Sequence, residues 1–185
     1  RKDFPFRFDP DLAERPCRFI AKLPLTKGKW AAERKLFKLE PWQCFLTVSL
    51  FGWVHKAGEF AGKRRFRKAF ILIPRKNGKS EWAAAVGLYM LVADREFGAE
   101  VYSGATSEKQ AWFVFGAARQ MALRSPALAS HFGMTVMASN VHCVSRNSKF
   151  EPIIGNPGDG ASPHCAIVDE YHEHETDRQF DSMET

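Results

Sequence analysis

The stretch FILIPRKNGKSEWAAA, Phe70 to Ala85, passes from an apolar run through a charged loop into a helix-forming segment, with Gly78-Lys79-Ser80 at the joint. That order of strand, short loop and helix constrains the fold more than any other feature of the chain. It aims the backbone N–H groups of a helix N-terminus, and the positive end of its dipole, at whatever the loop encloses, and a polyphosphate suits that arrangement. Lys79 then reaches the terminal phosphates, and the Ser80 hydroxyl ligates Mg²⁺. Asn77 tolerates the left-handed backbone that such a loop calls for. Two features depart from the pattern G-x-x-x-x-G-K-[ST]: Ile73 stands at the first glycine, and Arg75 and Lys76 crowd the loop. A Gly-Lys-Ser triplet is weak by itself, and a surface turn between strand and helix is the bland alternative.

A second feature raises its meaning. CAIVDE, Cys165 to Glu170, reads as a buried strand ending in two adjacent carboxylates. Successive strand residues face opposite ways, but where the chain bends away at a strand's C-terminal end both groups can reach one crevice. Asp169 would hold Mg²⁺, and Glu170 would orient and deprotonate a water. A phosphate loop and an acidic pair on strands separable by one intervening βα unit point to nucleotide hydrolysis. His164, Cys165, His172 and His174 invite a zinc reading, but their spacing matches no structural zinc site, and surface or supporting histidines are expected.

The rest of the chain is compatible with this. Its 185 residues suffice for a substantial core. The longest apolar run, Trp82 to Ala93, is 12 residues, too short to span a membrane, and no signal peptide is evident. The four cysteines form no C-x-x-C pair, which suggests reduced thiols in a cytoplasmic protein. The chain starts without methionine and is expected to be a fragment or a processed piece. Net charge is +6, and KRRFRK from Lys63 to Lys68 sets five basic residues in six, either a solvated hairpin or a phosphate-facing patch.

Coarse periodicity predicts an irregular proline-bearing start, then short basic elements to Glu40. A helix follows Pro41, packed through Phe45, Val48 and Leu50 to Trp53, and then a glycine-bounded turn. From Ala69 strands and helices alternate. AFILI (Ala69 to Ile73) is a buried strand, Ser80 to Ala93 a buried helix, and AEVYSGA (Ala99 to Ala105) a second strand. Ser107-Glu-Lys-Gln110 fits a capping box opening a helix with Ala111, Val114, Phe115, Ala118, Met121 and Ala122 on one face, ended by Ser125-Pro126. TVMA, VHCVS and FEPII form a meander or hairpin, Gly155 to Pro163 a loop, and CAIV a buried strand. This order predicts an α/β fold with a parallel core and a hairpin insertion.

From about Phe19 onward the motifs resemble those of the N-terminal ATPase domain of phage terminase large subunits, the DNA-packaging motors of tailed bacteriophages. LPLTKGKW (Leu23 to Trp30) resembles that family's N-terminal segment. LEPWQ (Leu39 to Gln43) resembles its adenine-recognising motif, which implies Trp42 and Gln43 near the base. IPRKNGKS is similar to its form of Walker A, in which the first glycine is replaced and an arginine follows, here Arg75. GATSEKQA (Gly104 to Ala111) resembles the segment after its second core strand, Asp159-Gly160 the loop before Walker B, and AIVDEYHEH the Walker B region.

The resemblance implies an ASCE-type P-loop ATPase with a mostly parallel sheet between helices, residues 1–40 being an extension and 41–185 the ATPase domain. It implies ATP and Mg²⁺ bound by Pro74, Arg75, Lys76, Asn77, Gly78, Lys79 and Ser80 together with Asp169, with Glu170, Lys79 and Arg75 catalytic. The implied partners are double-stranded DNA, a portal protein, a small terminase subunit and further copies in a homo-oligomeric ring, in the cytoplasm of a bacterial host. Neither the Thr/Ser-rich coupling motif nor the nuclease carboxylates of that family are found up to Thr185, so nuclease activity is not expected of this chain. Arg119, Arg124 and Arg146 are weak candidates for an arginine acting on a neighbouring subunit. The alternatives are another P-loop motor such as a helicase, or a nucleotide- or DNA-binding module that does not hydrolyse.

Overall fold

The structure, a computed structural model, describes residues 3–154, 162–174 and 176–184. In chain order its elements are β1 (Phe6–Phe8), α1 (Pro10–Ile20), α2 (Gly28–Ala32), α3 (Pro41–Gly52), β2 (Trp53–His55), α4 (Lys79–Val92), β3 (Glu100–Ala105), α5 (Glu108–Leu123), α6 (Pro126–Phe132), β4 (Met134–Val136), β5 (Val141–Cys143), β6 (Ser148–Ile154), β7 (Cys165–Val168) and α7 (Arg178–Met183). They fall into two compact units, Arg1–Lys22 with Leu36–Asn77, and Leu23–Lys35 with Gly78–Thr185. The units interleave in sequence.

In the first unit β1 pairs antiparallel with β2, Phe6 opposite His55 and Phe8 opposite Trp53. The irregular start expected from its prolines is corrected by α1. Pro10 occupies the first helical turn, where its missing N–H costs nothing, and the Asp9 side chain caps Leu12 N at 3.2 Å. Pro16 lies inside the helix at a cost offset by burying Ala13, Pro16, Phe19 and Ile20 on one face. That face meets α3 so closely that a Cβ on Gly52 would stand 2.8 Å from Ala13 Cβ.

Helix α3 forms where expected but turns a different face inward. Gln43, Thr47 and Phe51 are buried at i, i+4 and i+8, while Phe45 is 67 % exposed. Two polar side chains can occupy this stripe because both are bonded: Gln43 Oε1 accepts from Glu40 N at 2.9 Å, and Thr47 Oγ1 donates to Gln43 O at 2.7 Å.

The basic run after β2 is partly spent on aromatic rings. The Arg65 guanidinium lies 4.5 Å from the Phe6 centroid and 4.7 Å from that of Phe66, and Arg64 lies 5.4 Å from that of Phe51. The buried strand expected at Ala69 to Ile73 does not form; the segment has no strand assignment, with Phe70 81 % and Leu72 88 % exposed. A strand needs a ladder partner, and among the described residues the strand pairs and bridges of this unit include none of Ala69 to Ile73.

The second unit holds a five-stranded sheet in the order β4-β5-β6-β3-β7. Strands β6, β3 and β7 are parallel, and β4 and β5 join antiparallel as the expected meander, so the sheet is mixed. Alternation along β3 sends Ser103 to one face, where its hydroxyl donates to Ala111 O of α5 at 2.9 Å. It sends Gly104 to the other face, against Gln179 and Met183 of α7.

Helices α4 and α5 therefore share one face and α7 covers the opposite one. Helix α4 is buried nearly all round from Trp82 to Val92, and α5 buries the face its periodicity predicts. Phe150 of β6 sits between them, edge-on to Phe115 at 5.6 Å and beneath Gly87, where a Cβ would fall 2.7 Å from the ring. The segment carrying LPLTKGKW joins this unit: Glu81 in the first turn of α4 accepts from Thr26 N at 2.9 Å and from the Thr26 hydroxyl.

Candidate active site

The loop before α4 takes its shape from two left-handed residues, Lys76 at φ 68° and Gly78 at φ 73°. Asn77, which could tolerate that conformation, does not adopt it. Asn77 instead braces the turn with its side chain, Nδ2 donating to Pro74 O at 3.1 Å and less closely to Arg75 O at 3.4 Å, which explains an Asn here by bonding rather than by φ. Pro74, Arg75, Lys76, Asn77 and Gly78 are all exposed. Gly78 is the N-cap of α4, and Lys79 and Ser80 form its first turn.

Strand β7 ends at Val168, and Asp169 N continues the ladder to Gly104 O at 3.2 Å. Glu170 then adopts φ 51°, a left-handed conformation costly for a residue with a Cβ, and a 3-10 turn at Tyr171–Glu173 follows. This bend brings both carboxylates to the same lysine. Lys79 Nζ lies 2.8 Å from Glu170 Oε1 and 3.8 Å from Asp169 Oδ1, and Ser80 Oγ donates to Asp169 Oδ2 at 2.9 Å. All four side chains are part-buried, Asp169 at 11 % exposure. The hydroxyl and the adjoining carboxylate form an all-oxygen donor set, the kind a hard cation such as Mg²⁺ prefers.

Trp42 and Gln43 sit in the first turn of α3, in the first unit. Gln43 is buried with its amide engaged in a capping box with Glu40. The imidazole of His164 pairs with Asp94 at 2.8 Å, and His174 stacks on Tyr171. His172 lies 3.5 Å from Glu170 Oε2 and 4.0 Å from Glu173 Oε1. Ligand atoms of part-buried Glu170 and exposed His172 and Glu173 lie within 4.8 Å of one another, a grouping different from the histidine–cysteine set weighed for zinc. Arg119, Arg124 and Arg146 each donate to a main-chain carbonyl of their own chain, Met137, Leu25 and Val92 respectively. Asp159-Gly160 lies outside the described residues.

Sequence reasoning missed the side chains that tie the turn after β7 to the turn after β3. Thr106 and Ser107 hydroxyls both donate to Gln110 Oε1, at 2.6 and 3.0 Å, and Gln110 Nε2 donates to Glu173. The available signal was the Gln of the predicted capping box. Ser107 supplies its half, accepting from Gln110 N, while the Gln110 amide reaches across to Glu173.

Residues 41–185 match the family model described as "Terminase large subunit, ATPase domain". The crystal structure of the HK97 bacteriophage large terminase superposes with a TM-score of 0.74 over 93 % of this chain at 23 % identity. A short segment of 28 residues is 68 % identical to Protein YmfN of Escherichia coli strain K12. The chain spans 34 % of the HK97 protein, and that segment is 15 % of this chain and 6 % of YmfN. No described helix is long and apolar enough to cross a membrane.

Proposed function

The chain belongs to the family of terminase large subunit ATPase domains, and from that premise we propose that it binds Mg·ATP on the loop Pro74 to Ser80 and hydrolyses it to drive double-stranded DNA into a procapsid. The observation that carries the proposal is the meeting of Lys79 and Ser80, from the loop and first turn of α4, with Asp169 and Glu170, from the end of β7. One cluster holds a cation for phosphate oxygens, a hydroxyl and carboxylate for a metal, and a carboxylate placed as a base.

In this reading Lys79 and the loop amides stabilise charge as water attacks the γ-phosphate in line. Glu170 orients that water and accepts its proton. Ser80 and Asp169 hold Mg²⁺, which when bound neutralises phosphate charge. Arg75 senses the γ-phosphate, and Trp42 and Gln43 flank the adenine.

Residues 41–185 would be part of the ATPase domain and 1–40 an extension. The whole protein would act as a ring, with portal protein and small terminase subunit, in the host cytoplasm; DNA cleavage would require residues not in this chain. Lys79→Ala tests the phosphate role. In the full-length protein it should weaken ATP affinity by about 10- to 100-fold, the loss of one charge-assisted hydrogen bond. Unchanged affinity in a titration with a fluorescent ATP analogue would contradict the assignment.

A further inference from the structure

We propose that Gln110 is a positioning residue for Glu170, acting through Glu173; the proposal rests on the reading of Glu170 as the water-activating base. The parallel register that sets Gly104 opposite Val168 makes β3 and β7 end side by side, so residues 106–110 and 169–173 leave the sheet as neighbours. Glu170 opens the 3-10 turn and Glu173 closes it, Glu173 N donating to Glu170 O at 2.9 Å. A turn this short transmits a displacement of one end to the other, and its first residue is already held at φ 51°.

The orientation of the Gln110 amide is fixed by chemistry. The Glu173 carboxylate can only accept, so the NH₂ must face it, and the amide oxygen is left to accept from the hydroxyls of Thr106 and Ser107, which can donate. Glu173 also needs such a partner. It stands on the same turn as Glu170, with the ring of His172 between them, and two like charges this close push apart unless one is held. Gln110 holds Glu173 on the β3 side, which leaves Glu170 facing Lys79.

The bond can be broken and rebuilt with its polarity reversed. Gln110→Glu sets two carboxylates against each other, whereas Gln110→Glu combined with Glu173→Gln restores a carboxylate that accepts from the two hydroxyls and from the new amide. In the full-length protein, ATP turnover by Q110E should fall by about 10- to 100-fold in kcat, the scale of a misplaced catalytic group, with KM for ATP and analogue affinity changed by less than about twofold. The double variant should recover to within about threefold of wild type.

Three results would overturn the proposal: Q110E turning over at the wild-type rate, a double variant as slow as Q110E, or a Q110E that loses ATP affinity in step with kcat. Glu170→Gln, measured alongside, separates this from the parent reading. If Glu170→Gln hydrolyses ATP at the wild-type rate, the base assignment itself is wrong. If it does not, and the Gln110 variants are normal, only the positioning role fails.

Discussion

Lys79 illustrates how much of the site is legible residue by residue. Its type, the glycine before it and the hydroxyl after it specify a cation and a hydroxyl at a helix N-terminus, and an acidic pair at a strand end specifies their counterpart. The structure brings these groups within 2.8 to 3.8 Å. What residue type cannot report is which member of a loop takes the left-handed backbone. Asn77 could tolerate it, but Lys76 and Gly78 adopt it, and the Asn77 side chain braces Pro74 O instead. Gln110 was hidden for a similar reason, since a glutamine three residues after a helix-capping serine has a sufficient local explanation. The two neighbouring thiols of the first unit give a prediction at this scale. Burial holds the Cys17 thiol up at about 11, with the nearby Cys44 adding to the effect, whereas Cys44 is exposed. Because the thiolate is the reactive form, iodoacetamide at about pH 8 should modify Cys44 well before Cys17, as read by peptide mass spectrometry. The reverse order would contradict the packing of α1.

Among the elements, those with complete periodic signals were legible and those dependent on a remote partner were not. The apolar stripe of α5 and the uniformly apolar α4 announce their burial. Strand β7 occupies Cys165–Val168 as expected, but it is last in the sheet order and none of its four residues is buried, so the burial expected of CAIV is corrected. AFILI has the composition of a buried strand, but composition cannot supply a neighbouring strand, and no strand forms there. Helix α1 was obscured by its prolines, whose positions matter more than their number. In the second unit α4 packs closely on β6 and β7. A Cβ on Gly87 would meet Phe150 Cε1 at 2.7 Å and Ile167 Cδ1 at 3.2 Å, and Phe150 is fully buried. Gly87→Ala should therefore destabilise the fold by about 1–3 kcal/mol through overpacking, despite the better helix propensity of alanine. Urea denaturation checks it, and a stabilised variant would mean that this helix stands farther from the sheet.

For the molecule as a whole, the fold serves to bring two strand ends and one helix start to a common point. Strand β7 is placed by its ladder to β3, α4 by its packing over Phe150, and the two meet where Lys79 touches Asp169 and Glu170. Family membership follows from the match over 41–185, and the order of motifs along the chain had announced it. The central claim is that Glu170 is the base of an ATP-hydrolysing site. Glu170→Gln keeps the shape of the side chain and removes its basicity, so it separates binding from chemistry. The direct measurement is single-turnover hydrolysis of radiolabelled ATP by the full-length Glu170→Gln protein, with bound nucleotide quantified in the same sample. The account predicts ATP retained at near wild-type affinity and cleaved about 10²- to 10⁴-fold more slowly. Cleavage at the wild-type rate would contradict it.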